Sequence, residues 1–343
     1  MDFIKIILLL EPAGRSCKSV TLYILRERSA SDNTVATFTI GICAVDEADS
    51  LRRLIGVINR EEIPEGMEIR DIVIVVSGGF RSTENVALSE PSRYTKRVFV
   101  ESLRKGKAEA INRIMASMEG SNLILINADA EPSSGAIGRL MEALLTSDFS
   151  IVCATPYPAS AGKAGNFPVY SICRFMWALH NATMSVLGSR DHRIHLTDEM
   201  IAIGGSEIIA LPEDIVNDGA YLSVRAQIAG KKITFAEDAR VTVTPPASIR
   251  DFLRQRRRII YGHMQIEKNL GILPATAEFT LLHRPFSAAV IWKEYIKKYP
   301  LESLALPAAI ILELISMAAA LKDIRKPHNP HRIWHRSMQV SWR

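Results

Sequence analysis

The chain is poor in the residues that staple, anchor or export a protein. It has only four cysteines, Cys17, Cys43, Cys153 and Cys173. They are scattered and none forms a CxxC pair, which excludes a zinc ribbon or a disulfide framework. Cys43 and Cys153 lie in apolar, strand-like runs and read as buried thiols in a reducing compartment. His192 and His195 stand close together but lack cysteine or acidic partners at metal-ligand spacing, so they read as structural. No secretory signal is expected, because the apolar run Phe3 to Leu10 is too short and lacks a cleavage site. Crossing a bilayer takes ~20 apolar residues. Only the window Leu301 to Leu321 approaches that, and Glu302, Pro307 and Glu313 interrupt it. Nothing repeats internally and no segment is low-complexity.

What is present is ordinary for a folded chain with a real core. Apolar residues make up 48% and charged residues 23% of 343 positions, enough for one large or two modest domains. The net charge of +5 is mildly basic and suits a nucleic acid, an anionic membrane or a phosphorylated substrate. Nucleic acid is disfavoured, because the basic residues lie beside acidic clusters and no aromatic stacking platform accompanies them.

Short aliphatic runs alternate with helical patterns from Thr37 onward. Thr37 to Val45, Asp71 to Val76, Arg97 to Val100 and Leu123 to Asn127 read as strands buried on both faces. Between them, Ser50 is expected to cap a helix carrying Leu51, Leu54, Ile55 and Ile58. A second helix opens at Arg104–Ala108, and a third carries Ile137, Leu140, Met141, Leu144 and Leu145. This rhythm predicts βαβ units and a mostly parallel sheet with flanking helices. After Ile151–Thr155 the rhythm breaks into a stretch richer in aromatics, Gly and Pro. Met200–Ile203, Ile208–Leu211, Lys232–Phe235 and Val241–Val243 are further strand candidates, and Ser248 begins a basic helix.

The most informative stretch is Leu123 to Pro132. A buried strand runs straight into Asn127, Asp129 and Glu131, which alternate along the chain and on an extended backbone would share one side. Ligands of open α/β sheets sit at the carboxyl ends of strands. A divalent cation shared with substrate phosphates would suit these groups; so would a solvated acidic turn. Asp46/Glu47 and Asp214/Asp218 also follow apolar runs. The cationic clusters Arg104/Lys105/Lys107 and Arg254–Arg258 stand with them, a combination that suits an anionic, metal-bound substrate such as a nucleotide diphosphate.

The order of these elements resembles the family 2 glycosyltransferases of GT-A fold, over roughly Thr37 to Gly262. Ala44-Val45-Asp46-Glu47 is similar to the end of the family's first strand, beside the nucleotide. Gly106-Lys107-Ala108-Glu109-Ala110-Ile111-Asn112 matches its Gly-Lys-Ala-x-Ala-Leu-Asn motif. Asn127-Ala128-Asp129 falls at the Asp-x-Asp metal motif, Asn217–Leu222 at the general-base motif, and Gln255–Ile259 at Gln-x-x-Arg-Trp. The resemblance implies a Rossmann-like GT-A domain over 36–265. Its nucleotide-sugar half would span about 36–150 and its acceptor half about 151–265, after an N-terminal extension at 1–35. It implies an inverting transferase that binds its donor through Ala44, Asp46, Glu47, Ser77, Gly106, Lys107, Asn112, Asn127, Gln255, Arg257 and Arg258. Mg2+ or Mn2+ would sit on Asp129 and Glu131, with Asp218 or Asp214 as base. The partners implied are a nucleotide-diphosphate sugar and a glycan or lipid-linked acceptor.

Departures from the pattern are specific. Asn127 replaces the first carboxylate of the metal motif. Spacing to Tyr221 and Arg225 sets the two acids of the base motif on Asp218 and Gly219, so Asp218 or Asp214 would have to serve. Ile259 replaces Trp, and Ser77-Gly78-Gly79 lacks the acidic nucleobase contact of many relatives. The rival readings are a processive polysaccharide synthase and a nucleotide-sugar-binding homologue that is weakly active or inactive. The region 266–343 reads as helical. Basic residues flank its apolar window on both sides, which favours interfacial or shallow insertion at the cytoplasmic face of the cell membrane; the alternative is an ordinary buried helix with a solvated tail in a cytoplasmic protein.

Overall fold

A computed structural model of the chain describes residues 4–8, 22–26, 35–146, 150–159, 167–191, 195–274, 276, 285–300 and 302–333. His192 and most of the expected N-terminal extension lie outside the described residues. Contacts divide the chain into two compact units, Met1–Val35 and Ala36–Arg343. In the first, β1 (Ile4–Leu8) pairs antiparallel with β2 (Leu22–Arg26). Residues after 265 belong to the second unit, together with the sheet.

That unit is built on β3 (Ala36–Ala44), β4 (Met67–Ser77), β5 (Thr95–Glu101) and β6 (Asn122–Asn127), all mutually parallel. The sheet continues through β9 (Met200–Ile203), β8 (Ile151–Pro158), β10 (Ile233–Val243) and β7 (Glu131–Pro132). The full order is β5-β4-β3-β6-β9-β8-β10-β7. β9 runs antiparallel to both β6 and β8. The two faces of the strands bury separate clusters, as the period of two requires. Ile40, Ile42, Ile74 and Ile126 pack under α1 (Ala48–Arg60) and α4 (Ala136–Thr146). Val73, Val75, Leu123 and Leu125 pack under α3 (Lys107–Ser117) and α6 (Asp218–Ile228). Each such side chain, taken out of water, contributes about 1.5–3 kcal/mol. Gly41 sets how closely α3 approaches β3: a Cβ there would sit 2.6 Å from a methyl of Ile114.

Some local expectations needed correction. α1 starts at Ala48, with Glu47 rather than Ser50 in the cap position. Lys232–Phe235 and Val241–Val243 are one strand, β10, interrupted by a register shift between Ala236 and Arg240. Ile208–Leu211 is not a strand. The Asn112 side chain satisfies both backbone groups of Leu211, at 2.8 Å each, so no neighbouring strand is needed there. The stretch rich in aromatics holds a long helix, α5 (Phe167–Asp191), which the expectations had missed. Val169, Ile172, Cys173 and Leu179 on it are buried at helical spacing.

The basic helix α7 (Ile249–Leu270) begins, as expected, at Ser248, whose hydroxyl accepts from the Asp251 N–H. Beyond it, α8 (Pro285–Lys298) packs on α5, where Phe175 and Tyr295 meet edge-on at 5.4 Å. The apolar window resolves into a 3-10 turn, Glu302–Ala305, and α9 (Leu306–Asp323), with Pro307 harmless in its first turn. α9 lies along α7. Its Glu313, so awkward in a spanning helix, accepts from both Nε and Nη2 of Arg256, and Asp323 takes a bidentate pair from Arg257.

Candidate active site

Three parallel strands end at one edge, and their ends line a cleft of about 360 Å³. β3 supplies Ala44, Val45 and Glu47, β4 supplies Ser77, and β6 supplies Asn127 and Asp129. The loop and first turn of α3 add Arg104, Gly106 and Lys107. α7 adds Gln255, Arg256, Arg258 and His263. Opposite them, α5 presents Cys173, Met176, Trp177 and His180. The cleft therefore has a charged end over the sheet and a partly apolar wall on α5.

Asp198 and Glu199 also line it. Because β9 is antiparallel, its beginning, not its end, lies at the ligand edge, and these two residues immediately precede it. The Asn127 N–H donates to the Glu199 carbonyl at 3.0 Å, which ties the two sides together.

Lys107 is the electrostatic centre. Its ammonium lies 2.5 Å from Asp198 and 3.0 Å from Asp218, which is 4% exposed behind it. Burial opposes the charge on Lys107, yet the two carboxylates hold its pKa above the ordinary range. Burial would raise Asp198, but the adjacent Lys107 brings it down to about 2. Asp218 is raised, by burial first and by Asp198 second, against the pull of Lys107. Glu199 is pushed up to about 8, chiefly by burial and then by its neighbours Asp198 and, more weakly, Asp129. Pairs of carboxylates driven apart in this way mark sites of proton handling.

The cleft brings together Ala44, Glu47, Ser77, Gly106, Lys107, Asn127, Asp129, Gln255 and Arg258 of the expected residues. Asp46 is not among its lining residues. Asp218 reaches the cleft only through Lys107. Asp214 sits to the side, its carbonyl and carboxylate taking the Gln265 amide. Asn112 closes the Leu211 loop, and Arg257 anchors α9 through Asp323. Asn127, Asp129 and Glu131 do not share one extended face. The Ala130 N–H turns back to the Asn127 carbonyl at 3.0 Å, and Glu131 goes into β7, where Arg53 pairs with it at 2.9 Å. Trp177, His180, His195, His263, Asp198, Glu199 and Arg332 line the cleft without having been expected there.

Among the described residues no three His, Cys, Asp or Glu side chains stand close enough to form a protein-only metal cage. A hard cation that takes few protein ligands and completes its shell with phosphate oxygens makes a smaller demand. Asp129 and Asn127, both lining the cleft, supply oxygen donors of the kind it needs. Nearby, the buried Glu199 Oε2 has no hydrogen-bond partner among the described residues, and with its pKa pushed up to about 8 it holds a proton that an adjacent cation would displace. The donor set fits Mg2+ or Mn2+.

A curled, mixed sheet with flanking helices and a cleft at its carboxyl edge is the GT-A architecture. The family model described as Glycosyltransferase like family 2 matches residues 36–262, and the chain belongs to this family of glycosyltransferases. Among curated proteins none matches. Among solved structures, the mannosyltransferase PcManGT from Pyrobaculum calidifontis, in complex with GDP-Man and Mn2+, is similar with a TM-score of 0.59 at 16% identity. The match covers 87% of this chain and 90% of that one. S. aureus TarS 1-349 gives 0.48 at 11% identity, over 84% and 91% of the two chains. Glucosyl-3-phosphoglycerate synthase from Mycobacterium tuberculosis gives 0.45 at 16% identity, over 72% and 87%. At these identities what is shared is the fold.

Proposed function

We propose that this glycosyltransferase transfers a sugar, with inversion, from a nucleoside-diphosphate sugar to a glycan or lipid-linked acceptor at the cytoplasmic face of a membrane. One observation carries the reading: Asp129 and the cations Arg104, Lys107 and Arg258 converge in one cleft at the carboxyl ends of parallel strands. That is the arrangement a departing diphosphate requires. The likeness in fold to a mannosyltransferase holding GDP-Man and Mn2+ supports the same donor class and cofactor.

Each residue has a role in this reading. Arg104 and Arg258 steady the diphosphate. Asp129 and Asn127 hold the divalent cation, which when bound offsets charge on the leaving group. The acceptor hydroxyl gives its proton to the carboxylate pair around Lys107, with Asp198 as the member facing the cleft. Because Lys107 spans both acids, one takes up a proton while the other keeps its ion pair. Such help is commonly worth ~10²–10⁴-fold. Inversion is what membership of the family suggests, and a carboxylate base agrees with it.

The acceptor side rests on the apolar wall of Cys173, Met176, Trp177 and Phe252. Cys173 and Phe252 belong to a cluster that also takes in Tyr295 of α8 and Ala309 of α9. On α9, Ile310, Ile311, Leu314 and Ile315 are exposed, and exposed Lys322, Arg325 and Lys326 follow them. Among the described residues the segment Ser303–Asp323 is long and apolar enough to span a membrane, and only 17% of its window is buried. Glu313 in its ion pair with Arg256 favours a helix lying at the interface. A processive synthase would need several such helices.

The decisive assay is hydrolysis or transfer from GDP-, UDP- and dTDP-sugars, with and without Mn2+ or Mg2+. Turnover with one donor that depends on metal is expected. Donor binding without turnover would favour the rival reading that Asn127 keeps alive, an inactive nucleotide-sugar-binding homologue.

A further inference from the structure

After α9 the chain runs back to the charged end of the cleft. The Asn329 amide donates to the Asp214 carbonyl at 2.7 Å, and its side-chain oxygen accepts from the His331 N–H at 2.9 Å. The His331 imidazole lies 2.7 Å from Asp323 and packs on Tyr261, with ring centroids 4.8 Å apart. These anchors deliver Arg332 to the loop before α3. Its Nε donates to the Lys105 carbonyl at 3.3 Å, and its side chain joins the cleft lining.

Gly106 bears the imprint of this contact. Its φ of +114° already disfavours a side chain, and a Cβ there would sit 3.2 Å from the Arg332 carbonyl. The loop and the C-terminal segment are thus fitted to each other. Two of the cleft's other cations are held by carboxylates. Lys107 is clasped by Asp198 and Asp218, and Arg256 by Glu313. Arg332 meets Glu213 at 3.5 Å, and Glu213 is 71% exposed. An ion pair so long and solvated gives way easily to a stronger anion.

We infer that Arg332 is a donor-binding residue, whose guanidinium grips the diphosphate from the C-terminal side while residues 329–332 wall off that end of the cleft. This rests on the nucleotide-sugar reading above. The planar, forked guanidinium suits a diphosphate, which can take two parallel hydrogen bonds from it. The diphosphate of the donor is favoured over a phosphate on the acceptor. Arg332 touches the Lys105–Gly106 loop beside Arg104, while the apolar wall lies on α5.

The test is calorimetric titration of the 343-residue chain and of R332A, R332K and R332Q with GDP, UDP and pyrophosphate, in the presence of Mn2+. For R332A and R332Q the dissociation constant of the diphosphates should rise on the order of tenfold to a hundredfold, the worth of a charge-assisted contact. R332K should recover part of the loss. Thermal unfolding should not change, because Arg332 is exposed. Hydrogen exchange at 327–333 should slow when the diphosphate binds. Wild-type affinity in R332A and R332Q, or unchanged exchange in that segment, would overturn the inference. A wild-type chain that binds neither GDP nor UDP would instead overturn the functional reading beneath it.

Discussion

Lys107 bridges Asp198 and Asp218, its ammonium 2.5 Å from the first and 3.0 Å from the second. The bridge joins three separated parts of the chain: the start of α3, the residues before β9 and the start of α6. It makes Lys107 structural as well as catalytic. K107A should destabilise the fold by about 3–5 kcal/mol, since removing one partner strands buried charge. Adding D198N should recover part of that loss. Urea unfolding of the single and double variants measures both, and additive losses would argue against the bridge.

Asp198 and Asp218 separate in their consequences for catalysis. Asp198 faces the cleft, and Asp218 stands behind Lys107. D198N should lower kcat by ~10²–10⁴-fold with donor affinity little changed. D218N should lower it less and act mainly on stability. Single-turnover rates with saturating donor distinguish the two. A larger kcat loss in D218N would move the base to that residue.

Metal dependence should localise to Asp129 and not to Glu131. D129A should abolish the difference in donor affinity between Mn2+ and EDTA. E131A should leave it intact, because Glu131 pairs with Arg53 on the far side of the turn. Nucleotide titration with and without chelator reads this directly. Equal loss in both variants would mean that the turn after Asn127 rearranges around the cation.

Asp323 gathers Arg257, Lys326 and His331 at the end of α9. Burial opposes its charge, but the bonds from these three hold its pKa below the usual carboxylate range. The sign follows from linkage. A depressed folded pKa gives stability that is whole above the unfolded value, ~3.9, and is lost as pH falls through the folded one. Acid should therefore release α9 and the segment behind it from α7. Hydrogen exchange over 306–333 should accelerate below about pH 4 in the wild type. In D323N exchange should already be faster at neutral pH and change little on acidification.

The outward face of α9 should control membrane attachment separately from chemistry. Ile311 and Leu314 are 58% and 60% exposed, while Ala309, Ser316 and Ala320 are buried on the other side. I311E/L314E should abolish co-sedimentation with anionic liposomes and leave turnover on a soluble acceptor unchanged. Retained sedimentation would assign the binding to the basic flank alone.

Much of this protein was readable from its residues in order. The aliphatic runs of β3, β4 and β6 have one period and one environment, so their burial and parallel pairing follow from local composition. Gly106-Lys107 and Asn127-Ala128-Asp129 stand at strand-to-helix transitions, where a parallel sheet gathers ligands. What the residues in order did not disclose depends on direction and distance. Asp198 and Glu199 reach the cleft only because β9 runs antiparallel, which turns the start of a strand toward the ligand edge. Three consecutive arginines look alike in a basic helix, but ~100° of rotation per residue pairs Arg256 with Glu313 at the cleft wall, turns Arg257 away to Asp323 and keeps Arg258 in the cleft. Arg332 lies far along the chain from Gly106, and only the return of the segment after α9 brings them together. Local sequence determined which elements form and which of their ends carry charge; tertiary structure decided which charges meet, because ion pairs and hydrogen bonds act through space between residues distant in the chain.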